Sequence, residues 1–471
     1  MGKAKAMENK KIETVDLVVA NRPGVLGRVA GHIRREGWNI KRLFVDETDS
    51  HETSKMEIDI EGTHTKLAQV MERLLNLDCI ISISMTVDGK KVIRTRPGET
   101  AKTSQETKTA VKAPEKAPGV FRILAINPGS SSTKFAVYDN ETSLMEENTR
   151  HNEKIRSAKI TDQKETRRGC IMKALEEAGI APASLDAIAG RGGLIKPIES
   201  GAYLINKKML DDLESSAALH ASSLGAIIAA EIAGPLSIPA YVVDPVVVDE
   251  MDRNAKLTGM PGIERFSIFH ALNQKAIARR MAAKMGIPYE NARYIVVHLG
   301  GGITVGAHRY GRVIDVNDAL SGEGPFTPER TGGIPAVPLI KMCFSGEYTE
   351  TEMVEKVTKR GGMLAYLGTA DLREVQKMIN DGDEFAALTL DSMAYQTAKE
   401  IGAMAAVLEG LVDAIILTGG LAHSTRFTGA IKQRVDKFAP VHVFPGEDEL
   451  LALMAGVLRV LRGEEPAAVY S

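Results

Sequence analysis

An echo within the chain narrows its folding options more than any other feature. "DAIAGRGG" runs from Asp186 to Gly193 and "DAIILTGG" from Asp413 to Gly420, with the Asp-Ala-Ile and Gly-Gly positions in register. A longer matching unit precedes each phrase. "RILAINPGSSSTKFAVYDNETSLMEENTRH" from Arg122 and "RYIVVHLGGGITVGAHRYGRVIDVND" from Arg293 both read as an apolar strand, a glycine turn, a returning strand, a polar turn and a third strand. The same hairpin order followed by the same strand-to-diglycine ending marks a duplicated unit. Two like lobes facing each other across a cleft are expected, and helical stretches such as "EFAALTLDSMAYQTAKEIGAMAAVLEG" complete an α/β architecture.

A composition break sets this region apart from what precedes it. From Pro97 to Pro118 the chain holds no aromatic residue and one β-branched aliphatic, Val111, so it cannot bury enough surface to offset its ordering entropy. Residues 97–118 are expected to be a flexible linker. Residues 1–96 form a separate domain, with strands at "ETVDLVVA", "NIKRLFVDE", "KMEIDI" and "CIISISMTV" and helices from the Asn21 turn to about Glu36 and around "TKLAQVMERLLN". That βαββαβ order is the split-βαβ arrangement. Pro23 suits a first helical position and Gly24 permits close approach, so the amides of "NRPGVL" suit a small carboxylate, with a plain helix start as the other reading. Beyond the linker, residues 119–244 read as the first lobe and 245–471 as the second, with the C-terminal helix a candidate to pack back on the first.

Charge and cysteine usage exclude several classes. Lys and Arg number 59 against 61 acidic residues, which provides no basic field for nucleic acid. Cys79, Cys170 and Cys343 have no metal-ligand spacing and are expected to be small core residues in a reducing compartment. Positive charge at the N-terminus has no apolar run behind it, and Glu409 and Asp413 interrupt the most apolar later stretch. A cytoplasmic protein without membrane contact is expected.

The glycine turns point to a phosphorylated ligand. "NPGSSST" presents several N–H and O–H donors to one spot, which suits phosphate oxygens without high net charge. Any one such hairpin is explained structurally, but "HLGGGITVG", "GRGG" and "LTGGLAHS" repeat the theme in both halves. A polyphosphate could lie against backbone from both sides, with a nucleotide the economical ligand.

Two resemblances add to this reading. "NRPGVLGRVAGHIRREGWNIKRLFV" resembles the ACT domain of acetolactate synthase regulatory subunits, over roughly Ile12 to Asp88. It implies a branched-chain amino acid effector held near Asn21, Gly24, Val25 and Leu26, and self-association into at least a dimer. "NPGSSSTKFAVYD", "VDPVVVDEM", "SIFHALNQKAIARR", "HLGGGITVGAHRYGRVIDVNDALSGEGPFTPERTGG" and "ILTGGLAHS" resemble the butyrate kinases, relatives of acetate kinase in the actin-like, sugar-kinase and heat-shock ATPase superfamily, from Val120 to Tyr470. This implies a duplicated, ribonuclease-H-like two-lobed α/β kinase that uses ATP/ADP and Mg2+ to convert butanoate and ATP into butanoyl phosphate and ADP.

The same resemblance implies roles for individual residues. Arg191, His270 and Arg330 would be catalytic, His270 as hydrogen-bond donor or cation. His220 and His298 would lie near substrate and phosphate, with Asp244 a further polar group in the cleft and Ser130, Ser132 and Lys134 lining the phosphate path. Gly300, Gly301, Gly302, Gly419 and Gly420 would contact nucleotide. Asn127 and an acid of "PGEDEL" would serve magnesium, Asp448 by alignment, with Glu447 and Glu449 adjacent. Gly301 stands where acetate kinase has Asn in "HLGNG", and "FHALNQ" replaces its "FHGTSH". Both departures fit the butyrate-kinase branch and leave isobutyrate open as the acid. From other classes, an amino-acid sensor with inactive kinase lobes and an ATP-dependent conformational machine remain alternatives.

Overall fold

The computed structural model describes residues 11–21, 25–35, 39–47, 53–62, 74, 75, 77, 79–87, 90–95, 116–151, 155, 160–215 and 221–471. Most of the expected second helix "TKLAQVMERLLN" and of the expected linker lies outside them. The chain divides into two compact units, Met1–Thr109 and Ala110–Ser471.

In the first unit, strand β1 (Lys11–Ala20) is followed by a helix (Val25–Arg35) and by β2 (Asn39–Glu47), β3 (Thr53–Gly62), β4 (Ile80–Val87) and β5 (Lys90–Thr95). They form one antiparallel sheet in the order β2-β3-β1-β4-β5. Alternation sends Val15, Leu17 and Val19 of β1 and Met56, Ile58 and Ile60 of β3 into the core, where Val25, Val29 and Ile33 of the helix meet them at four-residue spacing. The closing hairpin strand β5 was not expected; Asp88-Gly89 between two β-prone runs is the sequence signal for it.

The second unit holds two sheets of one topology. The first comprises β6 (Arg122–Pro128), β7 (Ser132–Asp139), β8 (Thr142–Arg150), β9 (Ala187–Gly190), β10 (Ala202–Leu204) and β11 (Ala240–Val243). The second comprises β12 (Arg293–Leu299), β13 (Ile303–Arg309), β14 (Arg312–Val316), β15 (Ala414–Gly419) and β16 (Val441–Pro445). The orders β8-β7-β6-β9-β11 and β14-β13-β12-β15-β16 superimpose element by element, three antiparallel strands leading into two parallel ones. β10 extends the first sheet, and the last strand, β17 (Ala468–Val469), pairs with β10.

The echo in the sequence has a physical cause. Asp186 accepts the backbone N–H of Arg122 at 2.6 Å and donates its own to Arg122 O at 2.8 Å. Asp413 does the same with Arg293, at 2.7 and 2.8 Å. Each Asp-Ala-Ile therefore locks the start of a parallel strand to the start of its hairpin. The registers Ile123↔Ala187 and Tyr294↔Ala414 follow from it.

Helices cover both faces of each sheet, so the central strands are apolar along their length. The first sheet packs against Lys164–Glu177 and Ser223–Leu236 on one face. Its other face meets Glu449–Leu461, which brings the chain's end back to the first sheet through Leu453, Met454 and Val457. The second sheet lies between Ala271–Met285 and the pair Glu384–Val407 and Thr425–Val435. One cysteine expectation needs correction: Cys79 is buried and Cys170 half-buried, but Cys343 is exposed. It ends the helix Ala336–Cys343, which buries none of its residues. Among the described residues no helix is long and apolar enough to cross a membrane.

Candidate active site

Glycine turns at the ends of equivalent strands bring the polar groups of both halves together. Asn127 is the penultimate residue of β6, and Arg191 follows the strand β9 beside it. Arg191 is pinned from behind by the helix Ser223–Leu236. A methyl group on Gly225 would lie 2.5 Å from the Arg191 carbonyl oxygen and 2.7 Å from its nitrogen, so only glycine lets the helix cross there. The Arg191 guanidinium then donates to Asn127 Oδ1 at 3.1 Å and to Glu449 Oε2 at 2.9 Å, while Asn127 Nδ2 donates to the same Glu449 oxygen. Residues far apart in the sequence thus make one charged, hydrogen-bonded group.

The second half supplies the facing groups. His270 precedes the helix Ala271–Met285, and His298 lies near the end of β12. Their rings stack with centroids 3.7 Å apart and planes 11° from parallel. His298 Nδ1 is 2.9 Å from Asn273 Oδ1, and its Nε2 is 3.4 Å from Glu447. That contact holds the Glu447 carboxyl below its ordinary pKa. His270 Nδ1 lies 3.0 Å from Thr304 Oγ1. Burial, then His298, Arg191 and Arg330, push the His270 pKa well below the ordinary imidazole value, so its ring is neutral at pH 7. The cations of both halves therefore act on one imidazole.

Arg330 closes the site. Thr327 fixes its backbone by a 3.0 Å bond from Arg330 N to Oγ1 and a 2.9 Å bond from Thr327 N to Arg330 O. A methyl on Gly302 would sit 2.1 Å from Arg330 Nη1 and 3.4 Å from His270 Cε1, so both side chains rest against the bare face of that glycine. Burial lowers the Arg330 pKa from its ordinary value, with Glu329 and Asp318 opposing, yet a guanidinium remains charged at neutral pH. Its Nε is buried without a partner, and among the described residues Arg330 makes no ion pair. A half-buried guanidinium with no ion pair and an unsatisfied Nε is costly and suits an anionic ligand.

The other expected residues divide into those the cleft gathers and those it does not. Asp244 is buried beside Arg191, His270 and Glu449, accepts the Gly201 amide at 2.8 Å and lies 3.5 Å from Arg279. Gly300 and Gly301 lie beside Glu447 and Glu329. Gly419 exchanges backbone hydrogen bonds with Gly446, and Gly420 borders an open groove with His423, Arg426 and Arg373. Ser130 is exposed, Ser132 half-buried and Lys134 exposed. Asp448 is 66 % exposed and pairs with Arg280 at 3.5 Å; Glu449, not Asp448, reaches Asn127. His220 and Gly24 lie outside the described residues. In the first unit Asn21 is exposed, the Val25 side chain is in the core and Leu26 is exposed.

One group under the serine turn escaped the sequence reading. Arg167 is fully buried and donates to Ser132 O at 3.0 Å, Thr133 Oγ1 at 2.8 Å and Gln163 Oε1 at 2.8 and 3.2 Å. No carboxylate pairs with it among the described residues, and burial lowers its pKa. The available signal was spacing: Arg167, Ile171 and Leu175 form the buried stripe of their helix, so an arginine occupies an apolar position.

Residues 251–436 match the acetokinase family model. This part of the chain is similar to the acetokinase family. That span includes His270, His298, Gly300 to Gly302 and Arg330, whereas Asn127, Arg191 and Glu449 lie outside it. Residues 15–82 match the AHAS small subunit-like ACT domain. Among solved structures, an acetate kinase from Porphyromonas gingivalis aligns at 20 % identity with a TM-score of 0.61, covering 72 % of this chain and all of its own. A propionate kinase from Francisella tularensis aligns at 19 % and 0.59, over 71 % of this chain and 98 % of its own. An acetate kinase from Entamoeba histolytica gives 18 % and 0.58, over 71 % and 98 %. These likenesses establish the fold: the second unit is the acetate-kinase-like α/β architecture of duplicated lobes, and an ACT-like antiparallel domain precedes it.

Proposed function

We propose that the chain is a short-chain fatty acid kinase that catalyses ATP + butanoate = ADP + butanoyl phosphate by reversible in-line transfer. The observation that carries this reading is the meeting of Arg191, His270 and Arg330 beside a glycine turn, with the Arg330 guanidinium free of any acid partner among the described residues. A short acid is already ionised at neutral pH, so attack on the γ-phosphoryl group needs no general base. Its obstacle is repulsion: two like charges 4 Å apart repel by about 4 kcal/mol at an effective dielectric near 20. Positioning and charge stabilisation are therefore the catalytic task. In this reading Arg330 and Arg191 bracket the transferring group and the carboxylate, and neutral His270 donates a hydrogen bond to a phosphoryl oxygen.

Magnesium would neutralise charge on the triphosphate. One or two carboxylates with waters and substrate phosphates suit that ion. Glu449 and the Asn127 amide fit this description, since they touch one another and face the Arg191 guanidinium. We assign the metal role to this pair rather than to Asp448. Gly300 to Gly302 and the serine turn would cradle the phosphates, and the groove at Gly420 would take the nucleoside. In the same reading the ACT unit binds a branched-chain amino acid that modulates the rate, and the protein self-associates. Exposed apolar side chains, Val337, Ile340, Met342, Phe344, Phe385 and Leu388 among them, support a second copy as their cover.

The test is to trap acyl phosphate as hydroxamate from protein, ATP and Mg2+ across acetate, propionate, butanoate and isobutanoate, with and without valine, leucine and isoleucine. Acyl hydroxamate with butanoate preferred supports the reading. ATP binding with no acyl phosphate from any acid removes it, and preference for isobutanoate changes the substrate.

A further inference from the structure

A buried line of hydrogen bonds runs from the back of the second sheet to His270. Tyr289 Oη lies 2.7 Å from His308 Nδ1, and His308 Nε2 lies 3.0 Å from Gln274 Oε1. Gln274 Nε2 lies 3.1 Å from the Thr304 carbonyl and 2.9 Å from Thr304 Oγ1, which in turn lies 3.0 Å from His270 Nδ1. Tyr289 is 4 % exposed, and His308, Gln274 and Thr304 are fully buried.

The direction of each bond follows from one fixed point. A backbone carbonyl only accepts, so the Gln274 amide must turn its NH2 to Thr304 and its oxygen to His308. Burial, then Lys275 and Arg279, keep His308 neutral, so its single proton is on Nε2 facing that oxygen. Its Nδ1 then accepts from the Tyr289 hydroxyl. At the other end Thr304 Oγ1 already receives Gln274. Its own hydrogen has one remaining acceptor among the described residues, His270 Nδ1. The imidazole must therefore carry its proton on Nε2, the nitrogen that makes no hydrogen bond within the described residues.

We propose that Tyr289, His308, Gln274 and Thr304 are positioning residues that lock the tautomer of His270, so that a neutral ring always presents an N–H donor to the phosphoryl group. This rests on the kinase reading above for its purpose, though not for its geometry. The opposite tautomer would turn a lone pair toward an anionic oxygen. Neutral imidazole cannot correct this by taking a second proton, because burial, then His298, Arg191 and Arg330, all oppose it. The tautomer is then as important as the residue.

The experiment combines histidine-selective 15N labelling with kinetics. In the full-length protein the His270 resonances, identified by their loss in His270→Asn, are expected to show a protonated Nε2 and an unprotonated Nδ1. Thr304→Val removes the hydroxyl without changing shape. It should give mixed tautomers and lower kcat roughly 10- to 100-fold with the KM for ATP within about two-fold, and Thr304→Ser should restore both. Gln274→Met should give a smaller loss of the same kind. A proton on Nδ1 in the parent protein overturns the proposal. So does an unmixed Nε2–H tautomer in Thr304→Val, whatever its rate. If the parent shows the expected tautomer and forms no acyl phosphate, the lock stands and the kinase reading fails. Should Thr304→Val not fold, the parent spectrum and Gln274→Met still decide.

Discussion

The two strand–turn–strand units that face the cleft share a topology and an Asp clamp, yet their turns are built on opposite plans. The first-half turn, Pro128 to Ser132, is exposed at Ser130 and Ser131 and lined with hydroxyls, and its cation, Arg167, is hidden beneath it. The second-half turn, Leu299 to Ile303, carries only glycines, and Arg330, His270 and His298 press against its surface. Buried Arg167 can support a bound phosphate only through the turn it holds, whereas Arg330 and His270 can touch a reacting group. The difference teaches that duplication supplied a scaffold, and that in the proposed function the side chains around each copy divide the work into binding and chemistry.

The sharpest break of this symmetry is at Arg330. Arg330→Gln is expected to reduce the rate of acyl phosphate formation about 10³-fold in hydroxamate assays, without lowering the thermal midpoint, because a half-buried guanidinium with an unsatisfied Nε is a cost to the fold. The glycines give the next contrast. Gly302→Ala would drive a methyl into Arg330 Nη1 and is expected to cost roughly 10²-fold in kcat. Gly129→Ala meets nothing nearer than Ser132 O at 3.6 Å and should alter steady-state rates by less than about three-fold. Arg167→Met removes the guanidinium's hydrogen bonds to Ser132 O, Thr133 Oγ1 and Gln163 Oε1. Chemical denaturation should report a loss of about 1–3 kcal/mol, accompanied by weaker ATP binding.

The smallest effect is on pH. His270 and His308 are held neutral in the folded protein, while their unfolded counterparts gain protons as pH falls through about 6.5. The unfolded state then binds more protons, so stability falls as pH falls below that value. Thermal melts between pH 7 and 5 should show this slope, and His308→Gln should flatten it.

Much of the fold was legible because duplication prints itself in sequence. Two apolar hairpins with the same diglycine ending need the same sheet, and the Asp clamps show why the repeated residues stand where they do. The convergence of Arg191, His270 and Arg330 rested on resemblance, since nothing local in "GRGG" or "PERTGG" says where a guanidinium will point. Four residues were harder to read. Glu449 was one of three adjacent acids, and a helix start alone decides which turns inward. Arg167 looks like any helical arginine until its apolar stripe is noticed. Gln274 and Thr304 act through partners distant in sequence, and no periodicity marks a hydrogen-bonded line between elements.

The claim on which the account turns is that both halves act on one phosphoryl group. A double-mutant cycle between Arg191→Ala in the first half and Arg330→Ala in the second, read as the rate of acyl phosphate formation, tests it most directly. The account predicts that the two losses fail to multiply, with a coupling of at least about 1 kcal/mol. Losses that multiply within error would contradict it, because they would place the two arginines on separate tasks.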